Sequence, residues 1–266
     1  MAEQTSSGSI RVTVNDGVAA VMIDNPSQRN ALTRSMCLRL QELMPELDAD
    51  AAVTVVTLRG AGDAFSAGAT INDLTSVIMD KQDDGTEIDQ LSRADQAIAS
   101  FSKPTIALVD GVCMGGGWQI ASACDFIIAS DRAVFAITPA KIGILYPRAG
   151  IERLVRQVGH ANAKYILLTA DVLDSARAME LGLVAETVPA AKFETRCTAL
   201  VDDVRSRSRF STYYMKRLVN LTAANAHELE QEWASARDAM TESPDMRIGI
   251  EAFLNRETPQ FSWSPS

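Results

Sequence analysis

Two short loops rich in glycine and alanine present backbone groups that could do chemistry. One spans residues 64–69 (Ala-Phe-Ser-Ala-Gly-Ala), and the other spans residues 111–119 and contains a run of glycines at 115–117. Each loop follows an apolar run typical of a buried strand, and the second loop opens a helix. The first N–H groups of a helix have no intrahelical partner and lie at the positive end of its dipole, so they favour a developing oxyanion. Glycines before a helix can equally form a tight turn, and this pattern alone leaves both interpretations open.

Other chemistries that use similar residues lack their motifs in this sequence. No G-K-[ST] follows either loop and the second loop lacks G-x-G-x-x-G spacing, so neither loop is typical of phosphate binding. Ser66 is not part of a G-x-S-x-G nucleophile elbow. The four cysteines lie far apart and the two histidines form no H-E-x-x-H motif. We therefore expect buried reduced thiols, no disulfide framework and no metal site.

The composition argues against two classes of partner. The 266 residues carry a formal charge of −9, whereas nucleic acids and anionic membranes select clustered lysines and arginines. No run approaches the ~20 apolar residues of a membrane-spanning helix, and residues 1–8 are polar without a signal-peptide pattern. We expect a soluble, cytoplasmic protein with no nucleic-acid or membrane partner.

The order of apolar patterns predicts a layered α/β fold that would position both loops. Asn15-Asp16-Gly17 between two β-branched runs is a strong hairpin signal, and Thr33 is placed as the N-cap of an amphipathic helix. The alternation of strand and helix patterns indicates a mainly parallel sheet. Strands are expected at 10–14, 18–24, 53–58, 105–109 and 125–129, extended segments at 64–69 and 133–137, and helices at 33–47, 87–102, from 116 and after 147.

Strand patterns stop near Ala190, and the chain is predicted to be helical from there to about Arg256. We expect a disordered tail over residues 1–9, the α/β core over 10–195, a helical region over 196–256 and a loose tail over 257–266. Phe261 and Trp263 could dock that last tail on a neighbouring subunit.

Motifs spread along the chain resemble the enoyl-CoA hydratase/isomerase (crotonase) family. They lie, in order, at residues 25–32, 65–69, 103–117, 121–125, 169–171, 178–184 and 249–256, so that the resemblance covers about residues 10–256. It implies a crotonase-like ββα spiral core that binds an acyl-coenzyme A thioester, and a helical C-terminal region that trimerises. The expected assembly is a homotrimer or a hexamer of two trimers. No cofactor is implied, because coenzyme A is part of the substrate.

The resemblance also implies roles for individual residues. It places the two oxyanion amides on Ala69 and Gly116. Arg29 and Ala31 match the segment that cradles the adenine and pantetheine of the coenzyme. The remaining expected substrate contacts are Ala67, Ile71, Thr138 and Pro139 in the core, and Phe253 and Arg256 on the C-terminal helix, which often reach the coenzyme across a subunit boundary. A solvated charge at a helix end explains Arg256 equally well.

Two positions depart from the pattern of the family's hydratases, which use two glutamates as acid–base groups. Gln119 occupies the first position, three residues after Gly116 and on the same helix face, and Pro139 occupies the second. Neither an amide nor a proline can take a proton from water, so hydration by two glutamates is not expected. Residues 135–150 are similar to methylmalonyl-CoA decarboxylase, where Tyr146 matches a pocket tyrosine, although that enzyme retains a glutamate at the position of Gln119.

The preferred reaction is therefore decarboxylation of a malonyl-type thioester, because loss of CO₂ forms the enolate without proton abstraction. Tyr146 would bind a carboxylate or pass a proton, although a buried ring with a satisfied hydroxyl is an equal alternative. Asp73 and Glu152 are further candidate bases, but Asp73 could simply start a helical turn and Glu152 could pair with Arg153 or Arg156. Two other functions stay open: a hydratase or isomerase that uses substitute groups, and an acyl-CoA-binding protein with little catalysis.

Overall fold

The computed structural model describes residues 8–71, 74–222 and 226–264. The strands are β1 Ser9–Asn15, β2 Val18–Asp24, β3 Val55–Gly60, β4 Ala64–Ser66, β5 Asp80–Lys81, β6 Glu87–Ile88, β7 Thr105–Val109, β8 Val112–Met114, β9 Phe126–Ser130, β10 Val134–Ala136, β11 Leu173–Asp174 and β12 Glu186–Val188. The α-helices are α1 Arg34–Ala49, α2 Leu74–Ile78, α3 Gln90–Ala99, α4 Gly116–Ser122, α5 Arg148–Thr169, α6 Ser175–Glu180, α7 Phe193–Arg205, α8 Arg209–Leu221, α9 Ala226–Glu242 and α10 Pro244–Asn255. Short 3₁₀ helices span Pro26–Gln28, Pro139–Ile142 and Ala190–Lys192.

The predicted hairpin opens the fold. β1 and β2 pair antiparallel, and the two turn residues Asp16 and Gly17 have φ angles of 47° and 80°, as a type I′ turn requires. The disordered tail predicted over residues 1–9 falls mainly on residues 1–7, which lie outside the described residues, and Ser9 already belongs to β1. The predicted N-cap is also present, since the Thr33 side chain accepts a hydrogen bond from the Met36 amide at the start of α1.

A six-stranded sheet in the order β1-β2-β3-β7-β9-β12 lies at the centre, and all its pairs except β1–β2 are parallel. Side chains alternate across each strand, so one face joins the main core with α1, α3 and α4 while the other packs on α7. In β3, Val56 and Leu58 belong to the main core, and Val55 packs in the smaller one. Burial on both faces explains the continuous apolar runs in the sequence.

A second sheet, in the order β11-β10-β8-β4, positions the two glycine-bearing loops. β4, β8 and β10 are parallel, with Ser66 opposite Cys113 and Ala136 opposite Met114. β4 ends at Ser66 and β8 ends at Met114, so both loops leave the same edge of this sheet. The mixed α/β fold predicted from the sequence is confirmed, although β8 and β11 were not expected because strands of two or three residues give no periodic signal.

The helix predicted over residues 87–102 is shorter at its start. Glu87 and Ile88 pair with β5 instead, and α3 begins at Gln90 with Asp89 as its N-cap. The Asp89 side chain accepts a hydrogen bond from the Ser92 amide, which satisfies one of the free N–H groups of the first turn. The polar stretch before Gly85 is therefore a small hairpin that delivers Asp89 to the start of α3.

The C-terminal region is helical, as predicted. The expected division between residues 195 and 196 lies within α7, which packs on the central sheet through Phe193, Cys197 and Val201. α8, α9 and α10 leave several large apolar side chains exposed, including Trp233 (53%) and Phe253 (84%). No helix in the described ranges is long and apolar enough to cross a membrane.

The tail after α10 differs from the expectation of a loose segment. The indole of Trp263 packs against the rings of Phe210 and Tyr213 of α8, at centroid distances of 5.4 and 5.6 Å. The amides of Ser262 and Trp263 both donate to Asp245 Oδ1 at 3.0 Å. The tail thus docks on its own chain, because a buried carboxylate at the start of α10 fixes its backbone.

Candidate active site

The two predicted oxyanion amides lie side by side where the glycine-bearing loops meet. A methyl group on Gly116 would lie 3.1 Å from the Ala69 nitrogen, and one on Gly68 would lie 3.2 Å from the Gly116 nitrogen. Gly68 also has a φ of +107°, which side-chain-bearing residues rarely adopt. Glycine at positions 68 and 116 is therefore what allows the two N–H groups to approach one acceptor.

Both amides are available to a ligand. Around the first loop, the Leu32 amide donates to Gly68 O at 2.7 Å and the Thr70 amide donates to Leu32 O at 3.0 Å. Among the described residues, neither the Ala69 nor the Gly116 amide donates in any backbone hydrogen bond between loops and turns. Gly116 is the first residue of α4, so its N–H has no acceptor within the helix. Two unused amides beside each other form the geometry that stabilises an enolate oxygen.

A cavity of about 410 Å³ opens beside these amides. Of the predicted site residues, it is lined by Ala67, Ala69, Ile71, Gly116, Gln119, Thr138, Pro139 and Tyr146. We name as the inner wall Gly68, Ala69, Asp89, Leu91, Gly116 and Gln119, and as the outer wall Ile71, Met79, Ile142, Ile144 and Leu145.

Gln119 is buried in the inner wall and bonded to the start of α3. Its amide nitrogen donates to Ser92 Oγ at 3.4 Å, and the Ser92 hydroxyl donates to Asp89 Oδ2 at 2.5 Å. Asp89 also lines the cavity, and no other described lining residue carries a charge. The sequence analysis did not identify this carboxylate. The N-cap preference for Asp could have placed the helix start there, but only the packing of α3 on α4 brings it to the cavity.

Tyr146 contributes its ring to the cavity wall, but its hydroxyl is buried against the backbone of α5. A methyl group on Gly150 would lie 3.0 Å from that oxygen. The Ser122 hydroxyl nearby already donates to Gln119 O and accepts from Arg153, and Tyr146 Oη has no hydrogen-bond partner that meets the usual geometry. Burial, with a contribution from the Asp95 carboxylate, raises the pKa of Tyr146. The phenol therefore remains protonated, and its predicted role in catalysis stays a prediction.

A buried ion pair supports the inner wall from behind. Arg153 of α5 donates to Asp95 Oδ1 of α3 at 2.8 Å and to Ser122 Oγ of α4 at 3.2 Å. The Asp95 side chain is 1% exposed, and this burial raises the pKa of its carboxyl despite the opposing effect of Arg153. The two helices that carry the inner wall, α3 and α4, are thus joined to α5 at one point.

The segment expected to hold the coenzyme lies directly against the first loop. The Ala67 amide donates to Arg29 O at 2.9 Å, and Leu32 pairs with Ala69 in a parallel bridge. Asn30 fixes this segment by donating to Ala61 O and Ala64 O at 2.7 and 2.6 Å. Arg29 is exposed, Ala31 is buried, and neither lines the cavity itself.

The other predicted residues lie away from the cavity. Phe253 and Arg256 are exposed at the end of α10 and do not line it in a single chain. Glu152 is wrong as a candidate pocket base, because it pairs on the surface with Arg148 at 2.7 Å. Its partner is also not Arg153 or Arg156, since Arg148 lies one helical turn before it. Asp73 lies outside the described residues.

The thiols are placed as expected. Cys37, Cys113, Cys124 and Cys197 are all buried and unpaired. Burial raises the pKa of Cys37 and of Cys124 to about 12, so both remain thiols at neutral pH.

Comparison with known proteins identifies the architecture that this geometry represents. The family described as enoyl-CoA hydratase/isomerase matches residues 13–264. The chain belongs to the enoyl-CoA hydratase/isomerase family. A probable enoyl-CoA hydratase of Bacillus subtilis is 31% identical over 261 residues, which cover 95% of this chain and 98% of that protein.

Solved structures of this family superpose on most of the chain. The crystal structure of an enoyl-CoA hydratase/isomerase family member is 63% identical, with a TM-score of 0.96 and coverage of 99% of this chain and 100% of that one. A probable enoyl-CoA hydratase/isomerase from Mycobacterium abscessus is 27% identical, with a TM-score of 0.88 and coverage of 97% and 100%. The crotonase fold expected from the motifs is therefore confirmed.

Proposed function

We propose that this family member decarboxylates a malonyl-type acyl-CoA thioester and stabilises the resulting enolate with the amides of Ala69 and Gly116. The observation that carries this proposal is the composition of the cavity beside those amides. Gln119 and Pro139 line it at the positions where the family's hydratases are expected to carry glutamates. Two unused N–H groups converge there without the acid–base pair that would activate water.

The apolar surroundings favour the loss of CO₂. A carboxylate moved from water into an apolar site loses its hydration, and no described residue of the cavity wall is a cation that could replace it. Decarboxylation removes this charge from the acyl group and moves it to the thioester oxygen, where the two amides bind it. Binding energy from the remote coenzyme would offset the cost of bringing the carboxylate into the cavity.

The test is direct. The purified protein is offered methylmalonyl-CoA, malonyl-CoA and crotonyl-CoA in separate reactions, and the thioesters are analysed by mass spectrometry. Conversion of a malonyl-type substrate to propionyl-CoA or acetyl-CoA, with crotonyl-CoA unchanged, supports the proposal. Hydration of crotonyl-CoA with no decarboxylation overturns it. Binding of all three thioesters without turnover would instead favour an acyl-CoA-binding protein with little catalysis.

A second candidate reaction is isomerisation, in which the double bond of an enoyl-CoA shifts by one position. Its specific support is Asp89, a carboxylate on the same wall as Gly116 and Gln119. A shift of this kind needs a single base that removes a proton from one carbon and returns it to another, and it does not need an activated water. Interconversion of 3-butenoyl-CoA and crotonyl-CoA would distinguish this candidate from decarboxylation.

We also propose that the coenzyme site is completed in a homotrimer or a hexamer. Phe253 and Arg256 do not line the cavity of their own chain, and the Phe253 side chain is 84% exposed on the last helix. With Ile250 and Leu254, which are exposed on the same helix, it forms an apolar surface of the kind that marks a contact between subunits. Light scattering at micromolar concentration should give a trimeric or larger mass, and Arg256→Ala should raise KM for the thioester. A stable monomer with the parent's KM would contradict both expectations.

A further inference from the structure

Asp89 is a charged group in the cavity that the resemblance to the family did not assign. It directly precedes α3, and both of its carboxylate oxygens are held by Ser92, Oδ1 by the amide at 2.8 Å and Oδ2 by the hydroxyl at 2.5 Å. Its side chain is half-buried and lines the cavity together with Leu91 and Gln119. An N-cap that only served α3 would not need to face a cavity.

A second set of hydrogen bonds fixes the segment that carries Asp89. The neighbouring Gln90 donates to Asp80 Oδ2 at 2.6 Å, and Arg34 donates to the same oxygen at 2.7 Å. These hydrogen bonds, that of Gln90 first, hold the pKa of the Asp80 carboxyl below its ordinary value. The pairing of β5 with β6 joins this anchor to the residue just before Asp89. Asp89 therefore occupies a set position before any substrate arrives.

Contacts between α3 and α4 place Asp89 in the wall of the same cavity as the predicted oxyanion amides. Leu91 lies so close to Gly116 that a methyl group on Gly116 would be 2.9 Å from Leu91 Cδ2. Ser92, the next residue of α3, joins Asp89 to Gln119, which lies about one turn after Gly116 in α4. A thioester whose oxygen is bound by Ala69 and Gly116 must extend its acyl carbons into this same cavity.

We propose that Asp89 is the acid–base residue that exchanges a proton with the α-carbon of the bound acyl-CoA. The inference rests on the proposed enolate function of the cavity and adds the group that moves the proton. No other described residue lining the cavity carries a carboxylate, a thiol or an imidazole. The oxyanion amides, Gln119 and Pro139 cannot accept a proton from carbon.

The step balances with the groups that are present. In the forward direction, the Cα–H bond breaks, an O–H bond forms on Asp89, and the electron pair passes into the enolate, whose oxygen is bound by Ala69 and Gly116. In the reverse direction, Asp89 returns the proton to the α-carbon. In decarboxylation, Asp89 first takes a proton from solvent. After loss of CO₂, its carboxyl group donates this proton to the α-carbon of the enolate, so that one proton is consumed for each CO₂ released.

The matched variant is Asp89→Asn, because asparagine is as good an N-cap as aspartate but cannot take up a proton. The control is Asp174→Asn, which makes the same change at the N-cap of α6, where Asp174 is exposed and accepts from the Arg177 amide. Asp174 does not line the cavity. Both variants should show the far-ultraviolet circular dichroism of the parent.

The measurement is exchange of the α-protons of propionyl-CoA and butyryl-CoA in D₂O, followed by mass spectrometry. The parent and Asp174→Asn should exchange these protons, and Asp89→Asn should lower the rate at least about 100-fold, as expected for loss of a general base. Exchange by Asp89→Asn at the parent's rate overturns the assignment. If the parent exchanges no α-protons with either thioester at a saturating concentration, the assignment is overturned as well.

A second variant separates the position of Asp89 from its chemistry. Ser92→Ala removes the hydroxyl that donates to Asp89 and accepts from Gln119 but leaves the carboxylate in place. We expect a reduction of exchange smaller than that of Asp89→Asn, with a pH profile shifted from the parent's. An unchanged rate and profile would contradict a role for this hydrogen bond.

The exchange assay and the decarboxylation assay fail independently. If exchange depends on Asp89 and no malonyl-type thioester is decarboxylated, then the proposed reaction is wrong and Asp89 still acts on the α-carbon. If decarboxylation proceeds equally in the parent and in Asp89→Asn, and exchange is also unaffected, then the assignment of Asp89 is wrong and the proposed reaction survives.

Discussion

The inner wall of the cavity is buried or half-buried, and its polar side chains Asp89 and Gln119 are hydrogen-bonded, whereas the outer wall exposes large apolar side chains. Gln119 is 1% exposed and Gly116 begins a helix that packs on β4, while Ile71 and Leu145 of the outer wall are 70% and 94% exposed. Apolar side chains this exposed leave favourable burial unrealised in the free protein. The difference suggests a division of labour, in which the inner wall fixes the reacting atoms and the outer wall adapts to the acyl group.

The largest expected effect comes from filling the inner wall. Gly116→Ala places a methyl group 3.1 Å from the Ala69 nitrogen and 2.9 Å from Leu91 Cδ2, so it obstructs the space an oxyanion needs. We expect the rate of turnover of the true substrate to fall at least about 100-fold, which corresponds to an activation barrier higher by about 3 kcal/mol. Steady-state kinetics measure this loss.

The control for this change is Gly249→Ala. A methyl group there would make only ordinary contact with the Phe261 ring at 3.4 Å, and Gly249 does not line the cavity. Parent-like turnover is expected for this variant. If Gly116→Ala were as active as the control, the oxyanion assignment would be wrong.

The next effect concerns the ion pair behind the inner wall. Arg153→Met leaves the Asp95 carboxylate buried without its partner, and we expect a loss of about 3 kcal/mol in the free energy of unfolding near pH 8. Urea denaturation measures this loss. The matched control is Arg148→Met, whose solvent-exposed pair with Glu152 should contribute little to the free energy of unfolding. Equal losses in the two variants would show that the inner wall is not specially supported.

This penalty should depend on pH in a defined direction. Burial raises the pKa of Asp95 in the folded protein, and removing Arg153 takes away an effect that lowers it. A carboxyl whose pKa is higher in the folded than in the unfolded state binds more protons when folded, so its effect on stability improves as pH falls. Denaturation of Arg153→Met should therefore show a smaller deficit at pH 5.5 than at pH 8. A larger deficit at low pH would contradict this linkage.

A smaller effect is expected from Gln119→Glu. The new carboxylate would face Ser92 Oγ, whose proton is already donated to Asp89, so we expect a loss of about 1–2 kcal/mol in the free energy of unfolding.

The rate of malonyl-type turnover by Gln119→Glu should fall through repulsion between like charges, and hydration of crotonyl-CoA should stay negligible until Pro139→Glu is added. Mass spectrometry of the thioesters tests both points, and the exposed Gln157→Glu is the control for added charge. Robust hydration by the parent or by the single variant would defeat this expectation.

The smallest effect on stability is expected in the outer wall. Leu145→Ser should change the free energy of unfolding by less than about 0.5 kcal/mol, because the side chain is 94% exposed. It should nevertheless raise KM for longer acyl chains roughly fivefold, or about 1 kcal/mol, through lost apolar contact. Leu168→Ser is the control, since Leu168 is 78% exposed and lies outside the cavity lining. Equal KM values for both variants would remove the proposed role of this wall.

The sequence predicted the parts of the site that depend on local backbone pattern. The hairpin at Asn15-Asp16-Gly17, the N-cap at Thr33 and the two glycine-bearing loops follow from turn and capping preferences, and the structure confirms them. Family motifs then predicted the oxyanion amides of Ala69 and Gly116, and the structure places these two amides side by side. Asp89 was missed because nothing near it in sequence indicates a cavity, and its place depends on the long-range packing of α3 on α4. For Glu152 the surface alternative is confirmed, but its partner is Arg148 and not Arg153 or Arg156, because the sequence does not show which of several nearby arginines a glutamate reaches.

The parallel bridge between Leu32 and Ala69 has an energetic consequence for the whole site. The same few hydrogen bonds that hold residues 29–32 against the first loop also set the direction of the Ala69 amide. Any ligand that binds residues 29–32 from outside therefore restrains the Ala69 amide as well. Under the proposed function, part of the binding energy of a remote nucleotide would tighten the oxyanion site, and not only retain the substrate. A thioester shortened to its acyl-pantetheine portion should then lose kcat as well as affinity.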